Sequence, residues 1–175
     1  PGNIARDPAM TRQQALQALE TGMGLAAQAA ADGVQALGIG EMGIGNTTTT
    51  AAVTSVLLDL PPSVTAGRGA GLSDAGLVHK VTVIQRALVQ SQPNRKDPLD
   101  VLSKVGGLDI AAMTGFYLGA AARNRPVLLD GAISCAAALL AVRLCPNARK
   151  AMLASHRPAE PCGQLLLQEL GLEPG

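Results

Sequence analysis

Apolar positions step along the chain in two periods. Leu16, Leu19, Met23, Ala26 and Ala30 recur at intervals of three and four, which predicts one apolar face of a helix. Thr11-Arg-Gln-Gln14 just ahead has capping-box form, a hydroxyl serving the first turn and Gln14 reaching back. Asp32-Gly33 supplies a stop. Residues 34–39 form a short apolar run that predicts a strand, and it leads into Gly38-Ile-Gly-Glu-Met-Gly-Ile-Gly-Asn46. Residues 47–60 predict a helix closed by Pro61-Pro62. Its four threonines, 47–50, suit a first turn, where hydroxyls can meet free N–H groups. After a second glycine-rich stretch, Gly67-Arg-Gly-Ala-Gly71, Ser73 and Asp74 open a helix with Leu77, Val81, Ile84 and Leu88 on one face.

Residues 91–96 are a polar break. Asp97-Pro98-Leu99-Asp100 places a capping carboxylate before a proline at the first helical position, and Gly106-Gly107 ends that helix. An alanine-rich helix is predicted over 108–124. Arg125-Pro126 turns into Val127-Leu-Leu-Asp-Gly131, a short strand ending in an acid and a glycine. A helix over 133–144, a strand over 152–155 and a helix over 160–170 complete the pattern. Short apolar strands alternating with helices predict an α/β fold with a parallel sheet. We read it as a three-layer, Rossmann-like sheet flanked by helices, in one domain over residues 1–175.

Composition narrows the function classes. Hydrophobic residues make up 47% of the 175 residues and charged residues 15%, the balance of a packed globule and not of a disordered chain. The net charge of +1 and two aromatic residues, Phe116 and Tyr117, give a nucleic-acid binder neither a cationic stripe nor stacking rings. The longest apolar run, 135–142, is too short to span a bilayer, and no signal peptide is visible. Cys135, Cys145 and Cys162 form no C-x-x-C pair and have no zinc-ligand spacing to His79 or His156, so neither a metal nor a structural zinc is expected. Free thiols point to a reducing compartment, the cytosol.

The chemistry lies in the glycine-bearing stretches. In open parallel sheets, ligands bind at the carboxyl ends of the strands, and residues 38–46, residues 67–71 and Asp130-Gly131 all fall there. Gly38-x-Gly40-x-x-Gly43 matches the dinucleotide fingerprint, but the acid at the fingerprint's distance, Asp59, ends a helix and not a strand. No Gly-Lys-Ser/Thr follows, so a Walker loop is excluded. Three glycine loops and a helix starting near Asn46-Thr47 favour an anion site built from backbone N–H groups. Glu41 sits among these glycines, where its charge would repel phosphate; it is either a surface loop residue or a group that binds a ring N–H or a ribose hydroxyl. Lys80 lies roughly 70° from the centre of its apolar stripe at about 100° per residue. It either snorkels outward or reaches a phosphate as a point charge. His79 is on the opposite face and is expected to be exposed.

Taken in order, these segments resemble the nicotinate-nucleotide–dimethylbenzimidazole phosphoribosyltransferase family. The segments are Gly40-Glu-Met-Gly-Ile-Gly-Asn-Thr-Thr48, Gly67-Arg-Gly-Ala-Gly-Leu72, Lys80, Asp97-Pro98-Leu99, Gly106-Gly-Leu108, Val127-Leu-Leu-Asp-Gly131 and His156 to Glu160. The resemblance implies transfer of the phosphoribosyl group of nicotinate mononucleotide to a benzimidazole-type base, without metal or other cofactor. It implies a homodimer and no nucleic-acid or membrane partner. Glu41 and Met42 would line the base side; Gly43, Gly45, Asn46, Thr47, Gly69, Lys80, Asp130 and Gly131 would hold the nucleotide and its phosphate. The family is longer on both sides, so the fold is expected to be incomplete relative to it. No residue here matches the glycine-flanked glutamate taken as the family's general base, so no catalytic residue is assigned and the chain alone is expected to be inactive. Pro158 stands where the family commonly has a serine near the phosphate, and it can offer neither a hydroxyl nor an N–H.

Overall fold

The computed structural model describes residues 2–174. Helix α1 (Arg12–Ala31) starts at the predicted capping box: the Thr11 side chain accepts from Gln14 N–H, and the Gln14 side chain accepts from Thr11 N–H. Strand β1 (Leu37–Ile39) leads to α2 (Thr47–Leu58), a turn of helix α3 (Pro62–Thr65), α4 (Asp74–Ser91), α5 (Pro98–Val105) and α6 (Leu108–Ala121). Strand β2 (Val127–Leu129), helix α7 (Ala132–Leu144), a 3-10 segment (Pro146–Ala151), strand β3 (Met152–Ala154) and α8 (Pro161–Leu170) follow.

The α/β class holds. The three strands form one parallel sheet in the order β1-β2-β3, with Leu37 beside Val127 and Val127 beside Met152, and helices flank it. Alternation along each strand turns Val127, Leu129 and Met152 into the core and leaves Leu128 and Leu153 exposed. The buried helix α7 packs on α6, α8, α2 and α5 and reaches β2. Its alanines let neighbouring helices come close.

Several elements are shorter than the pattern predicts. The first strand begins at Leu37 because pairing with β2 begins there, opposite Val127. Helix α2 stops at Leu58, with Asp59 in a left-handed conformation at φ 58°. Helix α6 stops at Ala121, and Asn124 has a φ of 52°.

The face of α1 corrects the sequence reading. Leu16 and Met23 are 42% and 39% exposed, and the buried stripe is Ala15, Leu19, Gly22 and Ala26. Gly22 lies against α6, where an added Cβ would come within 1.8 Å of the Ala112 carbonyl oxygen; at Gly115 it would come within 1.9 Å of the Leu19 carbonyl oxygen. The α1–α6 seam is therefore backbone against backbone. It selects positions without bulk, whereas a hydrophobic count weights the larger side chains beside them.

Candidate functional site

Two of the three predicted glycine stretches follow strands, β1 and β2; the third, residues 67–71, lies between α3 and α4 and meets the strand-end loops through Thr47 and Glu160. Strand β1 is followed by Gly40, where a Cβ would meet the Asp130 carboxylate at 2.7 Å, so the loops after β1 and β2 touch. Gly131 caps α7 and opens its positive end. Gly43 and Gly45 have φ of 76° and 75°, a left-handed backbone that favours glycine, and they carry the chain round to the start of α2.

The first cluster centres on Asn46. Its Nδ2 donates to Glu41 Oε2 at 2.6 Å and to Asp109 Oδ2 at 2.8 Å. The Glu41 carboxylate also accepts from the N–H of Gly43. Glu41 is thus neither a free loop side chain nor aimed at open solvent. Its own loop holds it, and Asp109 in the first turn of α6 steadies the holder. Asn46 does not cap α2 with its side chain, and its Oδ1 is buried without a partner. Met42 is 84% exposed and Ile44 79%, so the tip of this loop presents apolar surface beside the carboxylate.

The second cluster centres on Lys80, which is 5% exposed despite its charge. The snorkelling alternative therefore fails. Its Nζ donates to Thr47 Oγ1 at 3.0 Å and to the Gly67 carbonyl at 2.8 Å. Burial pushes the lysine below its ordinary pKa, and the field of Glu160 acts against that push. Gly69, at φ 54°, lies beside Thr47 and donates its N–H to Glu160 Oε1 at 2.8 Å. Thr47 follows Asn46 directly, so the two clusters form one continuous surface over the β1–α2 turn. His79 is exposed, as expected.

The structure brings Glu41, Gly43, Asn46, Thr47, Gly69 and Lys80 together, with Asp130 and Gly131 on the adjoining loop. Met42 and Gly45 face outward on the same loop. Two contributors were given no role from sequence: Glu160 and Asp109. Glu160 had a visible signal, an acid immediately before Pro161 at a helix start. Asp109 had a weaker one, its place behind Gly106-Gly107. Asp59, the acid at the fingerprint distance, is exposed and paired with Arg95 at 2.8 Å, remote in role from any strand end. Pro158 is buried against Gly163, where a Cβ would come within 2.4 Å of the proline's Cβ.

Among the described residues, no three or more His, Cys, Asp and Glu side chains are grouped to hold a metal ion, and no helix is long and apolar enough to cross a membrane.

A phosphoribosyltransferase family model matches residues 1–175. Two nicotinate-nucleotide–dimethylbenzimidazole phosphoribosyltransferases, from Acetivibrio thermocellus and Ruminiclostridium cellulolyticum, are each 48% identical to the chain over 172 residues; the match covers 98% of this chain and 49% of each relative. The crystal structure of CobT from Thermus thermophilus superposes with a TM-score of 0.94 at 42% identity, covering 99% of this chain and 52% of that one. The chain spans about half the length of the curated relatives it matches.

Proposed function

The chain belongs to the phosphoribosyltransferase family whose model spans residues 1–175, and from that premise we propose that it is the nucleotide-holding part of an enzyme that moves a phosphoribosyl group from nicotinate mononucleotide to a benzimidazole-type base. In that reaction the base nitrogen attacks C1′, the bond to nicotinate breaks, and α-ribazole phosphate and nicotinate form. The observation that carries this reading is the buried ammonium of Lys80, set between Thr47 and Gly67 where two glycine loops meet. A desolvated cation beside glycine N–H groups and the start of α2 suits a phosphate monoester.

The roles follow from placement. Lys80, Thr47, Gly69, Gly131 and Asp130 hold the phosphoribosyl end. Gly43 and Gly45 shape the turn that brings Asn46 and Thr47 to it. Glu41, fixed by Asn46, and the exposed Met42 face the heterocycle, a carboxylate for a ring N–H and a thioether for the ring face. Orientation of the two rings is then the main contribution of this part of the enzyme. No residue here matches the family's glycine-flanked glutamate base, so residues 1–175 alone are expected to bind the nucleotide and turn it over little. The same reading includes a cytoplasmic setting, consistent with three free cysteines, and a homodimer, for which sedimentation velocity is the check.

Calorimetry of the chain with nicotinate mononucleotide tests the reading, with Lys80→Ala as the comparison. A charge-assisted hydrogen bond contributes about 1.5–3 kcal/mol, so the variant should bind roughly ten- to a hundredfold more weakly while its circular dichroism stays unchanged. Equal affinity in a folded variant would remove the phosphate role of Lys80.

A further inference from the structure

A backbone donor that a phosphate would use beside Lys80 is already engaged by a side chain of the protein itself. Gly69 N–H donates to Glu160 Oε1 at 2.8 Å. The other carboxylate oxygen, Oε2, lies 2.1 Å from where a Cβ on Gly67 would stand, so the carboxylate fits only because residue 67 has no side chain. Lys80 Nζ has two partners, Thr47 and the Gly67 carbonyl, and an ammonium has three N–H donors. Glu160 is also the N-cap of α8, yet its side chain makes no capping bond to its own helix. A carboxylate at a helix N-terminus would ordinarily be drawn to those N–H groups. Here it is turned across to the 67–71 loop, 91 residues away in sequence.

A carboxylate that accepts from a glycine-loop N–H beside a buried ammonium does what a phosphate oxygen would do in the same place. We propose that Glu160 is the resident anion of the Gly67–Gly69–Lys80 cradle, and that a phosphate group entering the site must displace it, so that Glu160 sets the affinity for the phosphorylated ligand. The inference rests on the nucleotide reading only for the identity of that ligand. Two like charges cannot share one N–H and one ammonium without strong repulsion. Departure of the carboxylate needs only side-chain rotation, because the Glu160 backbone stays at the start of α8. When it leaves, the Gly69 N–H is freed and the phosphate replaces Glu160 as the counter-charge of Lys80. The loop is thereby kept in binding geometry when empty, at the cost of a competitor that the substrate has to remove.

The test compares wild type with Glu160→Gln, which keeps an acceptor for Gly69 and loses the charge, and with Glu160→Asp, which keeps the charge and shortens the reach. Inorganic phosphate and nicotinate mononucleotide are titrated separately, and the Gly69 amide resonance is followed by NMR. Both variants should bind inorganic phosphate about tenfold more tightly than wild type, or about 1.4 kcal/mol. In wild type, phosphate should shift the Gly69 amide away from its ligand-free position. Equal or weaker phosphate affinity in both variants overturns the proposal, as does absence of phosphate binding in all three proteins. A gain with phosphate and no binding of the nucleotide anywhere keeps the role of Glu160 and refutes the nucleotide reading. Nucleotide binding of equal strength in all three proteins does the reverse.

Discussion

Two glycines two positions apart on α1 should respond to the same substitution with opposite signs. At Gly24 an added methyl meets nothing within 4 Å. Gly24→Ala then gains only helix propensity, about 0.8–1 kcal/mol, which for a domain of this size raises Tm by about 2–4 °C. At Gly22 the methyl would stand 1.8 Å from the Ala112 carbonyl oxygen and 2.7 Å from the Phe116 nitrogen. Both atoms are backbone of α6, so no side chain can rotate away and the helices themselves must part by more than about 1 Å, on the order of the gap that forfeits half of each dispersion contact along the seam. Overpacking of this kind costs about 1–3 kcal/mol and occasionally more; the rigid partner places Gly22→Ala at about 3 kcal/mol on that scale. Less about 1 kcal/mol of propensity, the net loss is about 2 kcal/mol, a fall in Tm of about 4–8 °C. Thermal melts followed by circular dichroism read both variants directly. Adding Gly115→Ala to Gly22→Ala should cost less than the sum of the two, since the separation is made once. A Gly22→Ala protein as stable as Gly24→Ala would show that the seam is not a backbone contact.

Two further outcomes come from a helix cap and from the core. Asp97 caps α5 through the N–H groups of Leu99 and Asp100 and accepts from Arg12 at 2.7 Å. Asp97→Ala should lose about 1 kcal/mol near neutral pH. The Arg12 hydrogen bond holds the Asp97 carboxyl below its usual range, so its stabilisation is present above the ordinary carboxylate pKa and fades as pH falls through the lowered value. The difference in Tm between wild type and Asp97→Ala should therefore shrink on strong acidification; a difference that widened would contradict the assignment. Cys135 and Cys162 are buried, which pushes each thiol up to about 12, while Cys145 is exposed. Folded protein at neutral pH should release one equivalent of thiol quickly to a disulfide reagent and the other two only on unfolding. Rapid reaction of all three would refute the burial.

What was legible in the sequence was local. The capping box of Thr11 and Gln14, the Asp97-Pro98 start and the serine cap before Asp74 are decided within four residues, and each stands where the pattern puts it. The inward lysine was half legible: periodicity placed Lys80 beside the apolar stripe, and only the fold chose between solvent and loop. Glu160 and Asp109 stood at visible helix starts, but their contacts were out of reach for one reason. Their partners lie 91 and 63 residues away, and no periodicity reports a contact made by folding the chain back on itself. The α1 face was right at Leu19 and Ala26 and misread at Leu16 and Met23 for another reason: close approach rewards the absence of a side chain. Strand ends were misplaced because pairing sets them, and β1 could pair only from Leu37 onward.

The sheet carries one more implication. With β2 in the middle, β1 and β3 each keep an outer row of peptide groups unclaimed by another strand of the sheet, and Leu128 and Leu153 make a greasy strip on its open side. Such margins recruit whatever polypeptide lies alongside. Colloidal behaviour in concentrated preparations should accordingly follow those two leucines more closely than the molecule's nearly neutral charge.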